Sequence, residues 1–152
     1  MRLRHFKTHV WLPAAPHEVF PFFANAENLN ELTPSWLNFR ILTPPPIEMK
    51  TGAKIEYKIK IRFIPVRWKT HIKIWKPPVE FVDEQTSGPY RLWVHRHTFE
   101  PHEGGTLAGD EVTYATHMDF LVHDRWVRRD IERIFAYRTL ALQKRFPGSK
   151  AS

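Results

Sequence analysis

The sequence predicts an α+β domain in which a curved, seven-stranded antiparallel sheet is closed over one long C-terminal helix. Two observations carry this prediction. Most of the chain consists of short segments in which apolar and polar residues alternate, which is typical of half-buried strands. Residues 124–146 instead have apolar residues at helical spacing and contain neither proline nor glycine. Because a sheet with one apolar face needs a covering layer, the helix is expected to pack against it.

The N-terminal region predicts one strand and then two short helices. The strand spans residues 5–12 and is expected to be half-buried: Phe6, Thr8, Val10 and Leu12 share one face, and His5, Lys7, His9 and Trp11 share the other. Pro16 suits the first turn of a helix over residues 17–23, where a backbone N–H would have no partner. Asn25 is the expected N-cap of a second helix over residues 26–32.

Six further strands follow, joined by short connections that are rich in proline and glycine. They are predicted over residues 36–42, 55–63, 66–74, 80–86, 91–101 and 106–117. Pro65 is expected in the tight turn between the second and third of these strands, and Gly104 in the last hairpin turn. A parallel return needs a crossover of about a dozen residues, so such short connections require antiparallel neighbours.

The final helix is predicted over residues 124–146, with Asp124 as its N-cap and a Pro-Gly pair after its end. Its apolar stripe consists of Val127, Ile131, Ile134, Phe135, Ala141 and Leu142. We find no internal repeat and no linker that would divide the chain. We therefore expect a single domain over residues 1–147 and a disordered tail over residues 148–152.

The composition indicates a globular protein that is rich in aromatic residues. Hydrophobic residues make up 42% of the sequence, which argues against disorder, and aromatic residues make up 14%. There is no cysteine, which excludes disulfides, thiolate metal sites and cysteine nucleophiles. No apolar run of about 18 residues occurs, so we expect neither a signal peptide nor a transmembrane helix, and the predicted location is the cytoplasm.

Several short motifs, together with the order of the elements, resemble one known superfamily. The N-terminal motifs are AAPHEVF at 14–20, NL at 28–29 and LTPSW at 32–36. They resemble the opening of START-like, or SRPBCC, proteins, which the birch pollen allergen typifies. FVDEQ at 81–85, GPYRLW at 88–93 and HTFE at 97–100 resemble small bacterial members described as polyketide cyclase/dehydrase-like or ligand-binding. The resemblance covers essentially the whole chain.

This resemblance implies the helix-grip fold, with a deep pocket between the sheet and the long helix. Members use the pocket for lipids, polyketides, hormones, quinones or protein clients. Binding of a small hydrophobic or amphipathic ligand is therefore the expected function, and no cofactor is expected. Residues 120–123 replace the Gly-Pro-rich segment that such proteins often carry before the last helix, so the resemblance does not define the pocket mouth there.

One predicted strand carries the strongest set of polar and aromatic side chains. Period two places five residues on a single face, namely Arg91, Trp93, His95, His97 and Phe99. The large aromatic side chains of this face indicate that it points inward. Tyr57, Trp68 and Tyr114 are aromatic residues of neighbouring strands that either fill the core or line the pocket. These eight residues are the predicted ligand-binding set.

Two histidines at i and i+2 could also bind a metal ion with a third ligand from a neighbouring strand. Asp83, Glu84 and Asp110 are the candidates for that ligand. No dedicated spacing of metal ligands is present, so we expect no metal. We favour partly buried histidines that hydrogen-bond to their neighbours, or a strand whose histidine face points outward. The imidazoles could then orient a hydroxyl or carbonyl group of a ligand.

An enzymatic role is the weaker interpretation. Acid–base chemistry needs a positioned pair, for which His97 with Glu84 or Tyr114 with Asp110 are candidates. Such an enzyme would be a cofactor-independent polyketide cyclase or dehydratase. The sequence has no Gly-x-Ser-x-Gly elbow, phosphate-binding loop or dinucleotide fingerprint, and we do not expect an enzyme.

The net charge of +7 suggests a second alternative. Two neighbouring strands would form a basic face from Lys54, Lys58, Lys60, Arg62, Arg67, Lys69, His71 and Lys73. Only Glu56 opposes this charge, and Trp75 is placed on the same face. Arg138 is expected to add positive charge on the helix. A solvated outer face is the favoured interpretation. Docking to RNA, a ribosome or an anionic membrane is the alternative.

Overall fold

The computed structural model describes residues 2–117 and 121–148, with side chains from residue 125 onward in the second range. The strands are β1 (Arg4–Leu12), β2 (Arg40–Ile41), β3 (Lys54–Ile61), β4 (Ile64–Lys76), β5 (Glu80–Ser87), β6 (Leu92–His102) and β7 (Gly105–Ala115). The helices are α1 (Pro16–Phe23), α2 (Leu29–Leu32) and α3 (Leu121–Arg145). Two short 3₁₀ turns, Ala26–Asn28 and Ser35–Leu37, flank α2.

The strands form one antiparallel sheet in the order β1-β7-β6-β5-β4-β3-β2. The first strand pairs with the last, and the other six follow one another as a meander. The predicted helix-grip architecture is therefore confirmed, with its curved sheet, short helices and long C-terminal helix. The short connections account for the antiparallel order, because hairpins join every consecutive pair from β3 to β7.

The N-terminal elements follow the sequence signals closely. The buried face of β1 contains Phe6, Val10 and Leu12, as the alternation predicts. Pro16 is the first residue of α1. The side chain of Asn25 accepts a hydrogen bond from the backbone N–H of Glu27 at 3.0 Å, so it caps the 3₁₀ turn that leads into α2.

Two predicted strand boundaries are wrong. The strand predicted over residues 36–42 is reduced to Arg40–Ile41, because Asn38 is left-handed, with φ of 51°, and ends a 3₁₀ turn. The turn expected at Pro65 lies instead at Arg62 and Phe63. Pro65 lies inside β4, in a stretch that β5 does not reach, where one edge of the strand is unpaired and can accept proline.

The predicted position of Trp75 on the outer face is also wrong. The pairing of β4 with β5 shifts by one residue between Ile72 and Ile74. A one-residue shift exchanges the two faces of a strand, and it turns Trp75 into the core. The indole packs edge-on against the ring of Phe20, with centroids 5.0 Å apart, and lies 5.2 Å from the ring of Phe81.

Helix α3 begins before the predicted boundary. Its backbone is helical from Leu121, so Asp124 lies inside the helix, and the side chain of Asp124 falls outside the described residues. Residues 149–152 of the predicted tail also fall outside them. In the part of the chain that the structure describes, no helix is long and apolar enough to cross a membrane.

The core lies mainly beneath one side of the sheet. One cluster joins α1 and the C-terminal half of α3 to β1, and it includes Leu12, Phe20 and Leu142. A second joins Phe6 of β1 to Ile131 and Phe135 of α3, together with residues of β7. Because α3 packs near β1 and β7, it leaves the concave face of β3, β4 and β5 only partly covered.

Two leucines of α3 give a matched test of this packing. Leu142 is 1% exposed and Leu140 is 67% exposed. We expect Leu142→Ala to lower the free energy of unfolding by about 3 kcal/mol, because it leaves a cavity in the core. Leu140→Ala should lower it by less than about 0.5 kcal/mol. Urea denaturation followed by circular dichroism measures both, and equal losses would contradict this orientation of the helix.

Candidate functional site

A cavity of about 380 Å³ lies between the uncovered part of the sheet and α3. Strands β3 to β6 form its floor, and α2, the second 3₁₀ turn and α3 form its walls. Most of the lining side chains are apolar, including Ile55, Ile59, Ile72 and Ile134. A buried polar cluster lies where β5 and β6 pass beneath α3, and exposed charged side chains lie at the edge of the cavity. The site therefore has an apolar volume with a polar cluster at one place on its wall.

The structure brings five of the eight residues of the predicted ligand-binding set to the cavity wall. These are Tyr57, Trp68, Trp93, His95 and His97. The expected inward direction of the β6 face is observed from Trp93 to Phe99. Whether these five side chains contact a ligand stays a prediction.

The other three residues of the set lie elsewhere. Arg91 is exposed and lies in the bend that precedes β6, which begins only at Leu92. Phe99 packs in the core among the phenylalanines of α1 and β5. Tyr114 is 1% exposed and belongs to the second core cluster, beside Tyr90.

Two diagonal hydrogen bonds organise the polar cluster. In the strand register Asp83 lies opposite His95, and Asp110 lies opposite His97. The short hydrogen bonds cross this register: Nε2 of His97 contacts Oδ2 of Asp83, and Nε2 of His95 contacts Oδ1 of Asp110, each at 2.7 Å. The two imidazoles stack with centroids 3.6 Å apart, and Phe81 stacks on the other side of His97 at 3.9 Å.

Arg138 completes the cluster from the helix side, and its predicted place on the outer surface is wrong. Its spacing from Ile131, Phe135 and Leu142 puts it on the buried stripe of α3, where it is 8% exposed. Its Nη2 donates to Nδ1 of His97 at 3.2 Å and lies 3.5 Å from Oδ1 of Asp110. Helical spacing alone could have revealed this residue.

These contacts define the tautomer of His97. Because Nδ1 of His97 accepts a hydrogen bond from the guanidinium of Arg138, its proton is on Nε2. That Nε2–H group then donates to the carboxyl group of Asp83. A continuous chain of hydrogen bonds therefore runs from α3 through β6 to β5.

Burial and neighbouring charges set the protonation states of the cluster. Burial lowers the pKa of His97 well below its ordinary value, and the charges of His95 and Arg138 lower it further. Burial raises the pKa of Asp83. Burial acts in the same direction on Asp110, but Arg138 and the hydrogen bond from His95 outweigh it and hold the pKa of Asp110 far below its usual range. Asp110 is therefore ionised at neutral pH and His97 is neutral.

Neither of the two candidate acid–base pairs from the sequence, His97 with Glu84 and Tyr114 with Asp110, forms. Glu84 faces away from His97 because it alternates with Asp83 along β5, and it contacts Nδ1 of His71 at 3.2 Å. Tyr114 packs in the core, and the partners of Asp110 are instead the histidines and Arg138. The pair that does form is Asp83 with His97, two residues that the sequence indicates only as possible ligands of one metal ion.

Asp83, His95 and His97 are described residues that could hold a metal ion, because each offers a ligand atom within 4.8 Å of the others. Two features oppose such binding in the observed arrangement. Each Nε2 is already hydrogen-bonded to a carboxyl group. The lone pair of an imidazole nitrogen lies in the ring plane, so two stacked rings do not both point at one ion. The three residues fit a metal only after a ring rotates.

Two buried N–H donors of the cavity wall have no hydrogen-bond partner among the described residues. They are Nε1 of Trp68 and Nε of Arg138. A buried donor without an acceptor costs free energy that a bound molecule or water recovers. These two groups are therefore available to a hydrogen-bond acceptor inside the cavity.

The outer face of β3 and β4 carries the predicted basic residues, except that Lys60, near the end of β3, also lines the cavity, and with two corrections. Glu84 of β5 contacts both His71 and Lys73, so Glu56 is not the only opposing charge. Arg62 lies at the hairpin turn and contacts Asp130 of α3 at 3.1 Å instead of lying on the outer face. Docking of nucleic acid or membrane through this face stays a prediction.

The comparison with protein families defines the class of this protein. Residues 12–138 match the family described as polyketide cyclase / dehydrase and lipid transport. The chain belongs to this family, and the resemblance to START-like proteins is confirmed. A comparison with curated proteins finds no significant match.

Several solved structures share the fold at low sequence identity. The aromatase/cyclase Zhui from Streptomyces sp. R1128 is similar with a TM-score of 0.74 and 13% identity, covering 95% of this chain and 93% of its own. The major latex-like protein 151 from Panax ginseng has a TM-score of 0.70 and 8% identity, with 96% and 99% covered. Protein Ms6760 from Mycobacterium smegmatis has a TM-score of 0.69 and 13% identity, with 95% of each chain covered.

Replacement of Asp110 tests the polar cluster. We expect Asp110→Asn to lower the free energy of unfolding by about 3 kcal/mol at neutral pH, because the guanidinium of Arg138 loses its buried counter-charge. The pKa of Asp110 is lowered by folding, so its carboxylate stabilises the fold above the unfolded pKa. This contribution is lost as the pH falls below about 4, and the difference between wild type and variant should narrow there.

Glu111→Gln is the matched control on the same strand. Glu111 is partly exposed on the outer face, where it contacts Lys7 at 3.0 Å and Arg96 at 3.2 Å. Such exposed ion pairs contribute about 0.5 kcal/mol, so this variant should remain close to wild type. Urea denaturation at a series of pH values measures both variants. Equal losses, or a loss for Asp110→Asn that does not change with pH, would contradict the assignment.

Proposed function

We propose that this protein binds a small hydrophobic or amphipathic ligand in the cavity between the sheet and α3. The observation that carries the proposal is a largely apolar cavity of about 380 Å³ whose wall includes two unpartnered N–H groups of described residues. Small-molecule sites typically combine such a volume with a few placed polar groups. Membership of a family whose description includes lipid transport supports the same proposal. The proposed place of action is the cytoplasm.

The charge of the polar cluster favours a ligand with a neutral hydrogen-bond acceptor. Arg138 already has the carboxylate of Asp110 within 3.5 Å, so the buried cation is balanced. A negatively charged ligand would add an uncompensated charge to a buried site. A carbonyl oxygen would instead accept from Trp68 or Arg138 at no cost in charge. Lipid esters, polyketides and quinones all carry such oxygens, and we propose a ligand of this kind.

A pair of ring compounds tests the proposal. Naphthoquinone and naphthalene have similar shapes, but only the quinone offers hydrogen-bond acceptors. We expect both to bind and the quinone to bind more tightly. Trp68→Phe should weaken quinone binding by roughly fivefold, the effect of one hydrogen bond, and leave naphthalene binding unchanged. Isothermal titration calorimetry and the shift in melting temperature measure the affinities.

Trp75→Phe is the control for this experiment, because Trp75 is a half-buried tryptophan that packs in the core and does not line the cavity. It should bind both compounds as wild type does. Failure of either compound to bind at its solubility limit would count against the ligand-binding proposal. If Trp68→Phe weakened the binding of both compounds equally, the hydrogen bond from Trp68 would be rejected, but the proposal of an apolar binding site would stand.

The pair of Asp83 and His97 supports a second candidate, a cyclase or dehydratase acting on a polyketide-like substrate. An acid–base pair at 2.7 Å lies on the cavity wall, and burial raises the pKa of Asp83. In this proposal Asp83 removes a proton from a carbon between two carbonyl groups. The Nε–H of Arg138 stabilises the enolate oxygen, the carbanion attacks a second carbonyl, and the proton returns to the new alkoxide. Asp83 then removes the second proton from the same carbon and passes it to the departing hydroxyl group, so that water leaves and the carboxylate is regenerated.

Asp83→Asn tests this candidate, because the amide keeps the shape of the carboxyl group and cannot act as a base. With a linear poly-β-ketone thioester as substrate, we expect the rate of cyclisation to fall at least about a hundredfold. Binding of naphthalene should stay unchanged and show an intact cavity. A wild-type protein that gives only the spontaneous products would reject the enzymatic proposal and leave the binding proposal standing.

A further inference from the structure

The tip of the hairpin between β3 and β4 exposes two large apolar side chains. Arg62 and Phe63 are the central residues of the turn, with φ of 48° and 71°. A two-residue turn with both central residues left-handed favours asparagine and glycine, because side chains are crowded in this conformation. Phe63 is nevertheless there and is 95% exposed, and the adjacent Ile64 is 64% exposed. The fold thus presents a phenyl ring to solvent at a position that favours a smaller residue.

This tip forms one side of the cavity mouth. Among the described residues, five exposed ones line the cavity and are called the mouth rim here, namely Trp36, Lys60, Arg62, Phe63 and Arg133. The ring of Trp36 is 49% exposed and lies 5.0 Å from the guanidinium carbon of Arg133. Two exposed aromatic rings, those of Trp36 and Phe63, therefore line the cavity.

Positive charge predominates around the mouth rim. Lys60, Arg62 and Arg133 contribute three positive charges, and Asp130, which contacts Arg62, contributes one negative charge. Exposed aromatic and aliphatic side chains among lysine and arginine suit the surface of an anionic bilayer. There the rings enter the headgroup region while the cations meet lipid phosphates.

We propose that the mouth rim docks on anionic lipid bilayers, so that the cavity opens onto the membrane surface. A stable protein interface buries about 1,200 Å² or more and is built around a packed centre. A hairpin tip with two projecting apolar side chains offers little of that area. The same tip needs only to insert its side chains to bind a bilayer. This docking is separate from the binding of a cavity ligand and needs no ligand to be observed.

Vesicle sedimentation tests the proposal with the full chain. The two probes are vesicles of phosphatidylcholine alone and of phosphatidylcholine mixed equally with phosphatidylglycerol. We expect the wild-type protein to sediment with the mixed vesicles at low salt, and to be released as the salt concentration rises. Phe63→Gly should lower the partition coefficient at least about tenfold, because the inserted ring is lost. Its melting temperature should not fall, because glycine suits a φ of 71°.

Two matched substitutions identify the surface that binds. Leu140→Ala removes an apolar side chain that is 67% exposed on α3, outside the cavity lining, and it should bind as wild type does. Lys60→Glu should weaken binding more than Lys69→Glu, because Lys60 belongs to the mouth rim and Lys69 to the outer face of β4.

Three outcomes would overturn the proposal. The first is a wild-type protein that stays in solution with anionic vesicles at low salt. The second is a Phe63→Gly variant that binds like wild type. The third is a greater loss in Lys69→Glu than in Lys60→Glu, which would assign membrane affinity to the outer basic face. Since the vesicles carry no cavity ligand, none of these outcomes affects the test of ligand binding.

Discussion

A guanidinium buried between the long helix and the sheet needs a counter-charge and hydrogen-bond acceptors, and this requirement links the fold to the site. Arg138 satisfies it with Asp110 of β7 and His97 of β6. Both partners lie on the concave face of the sheet. These contacts favour one rotation of α3 about its axis and one position of α3 along the strands. Apolar packing is less directional and would distinguish these orientations less sharply.

The position of the helix in turn determines where the cavity lies. Helix α3 packs its buried stripe on β1 and β7, through residues such as Ile131 and Phe135. Apart from Trp75, the inward side chains of β3 and β4 belong to neither core cluster, and several of them line the cavity instead. Large rings such as Trp68 and Tyr57, which stack 6.0 Å apart, line this space without filling it. The polar cluster lies at the boundary between the packed and the open part of the sheet.

Strands and helix ends were predictable from the sequence wherever they depend only on neighbouring residues of the chain. Alternation identified the inward face of β6 from Trp93 to Phe99, and the caps at Pro16 and Asn25 follow from backbone hydrogen bonding. The errors occur where partner strands override the local rule. Pro65 is accepted inside β4 because β5 does not reach it, and a register shift turns Trp75 inward. The sequence of β4 itself indicates neither the unpaired edge at Pro65 nor the register shift before Trp75.

The sequence by itself determined the helix-grip fold and the alternation that places His95 and His97 on one face of β6, and its aromatic residues indicated that this face points inward. These properties depend on residue periods and on short connections, which are local. Only the tertiary structure decided that Asp83 pairs with His97, that Asp110 pairs with His95, and that Arg138 is buried beside them. Those contacts join residues more than a dozen positions apart, and they depend on strand register and helix rotation.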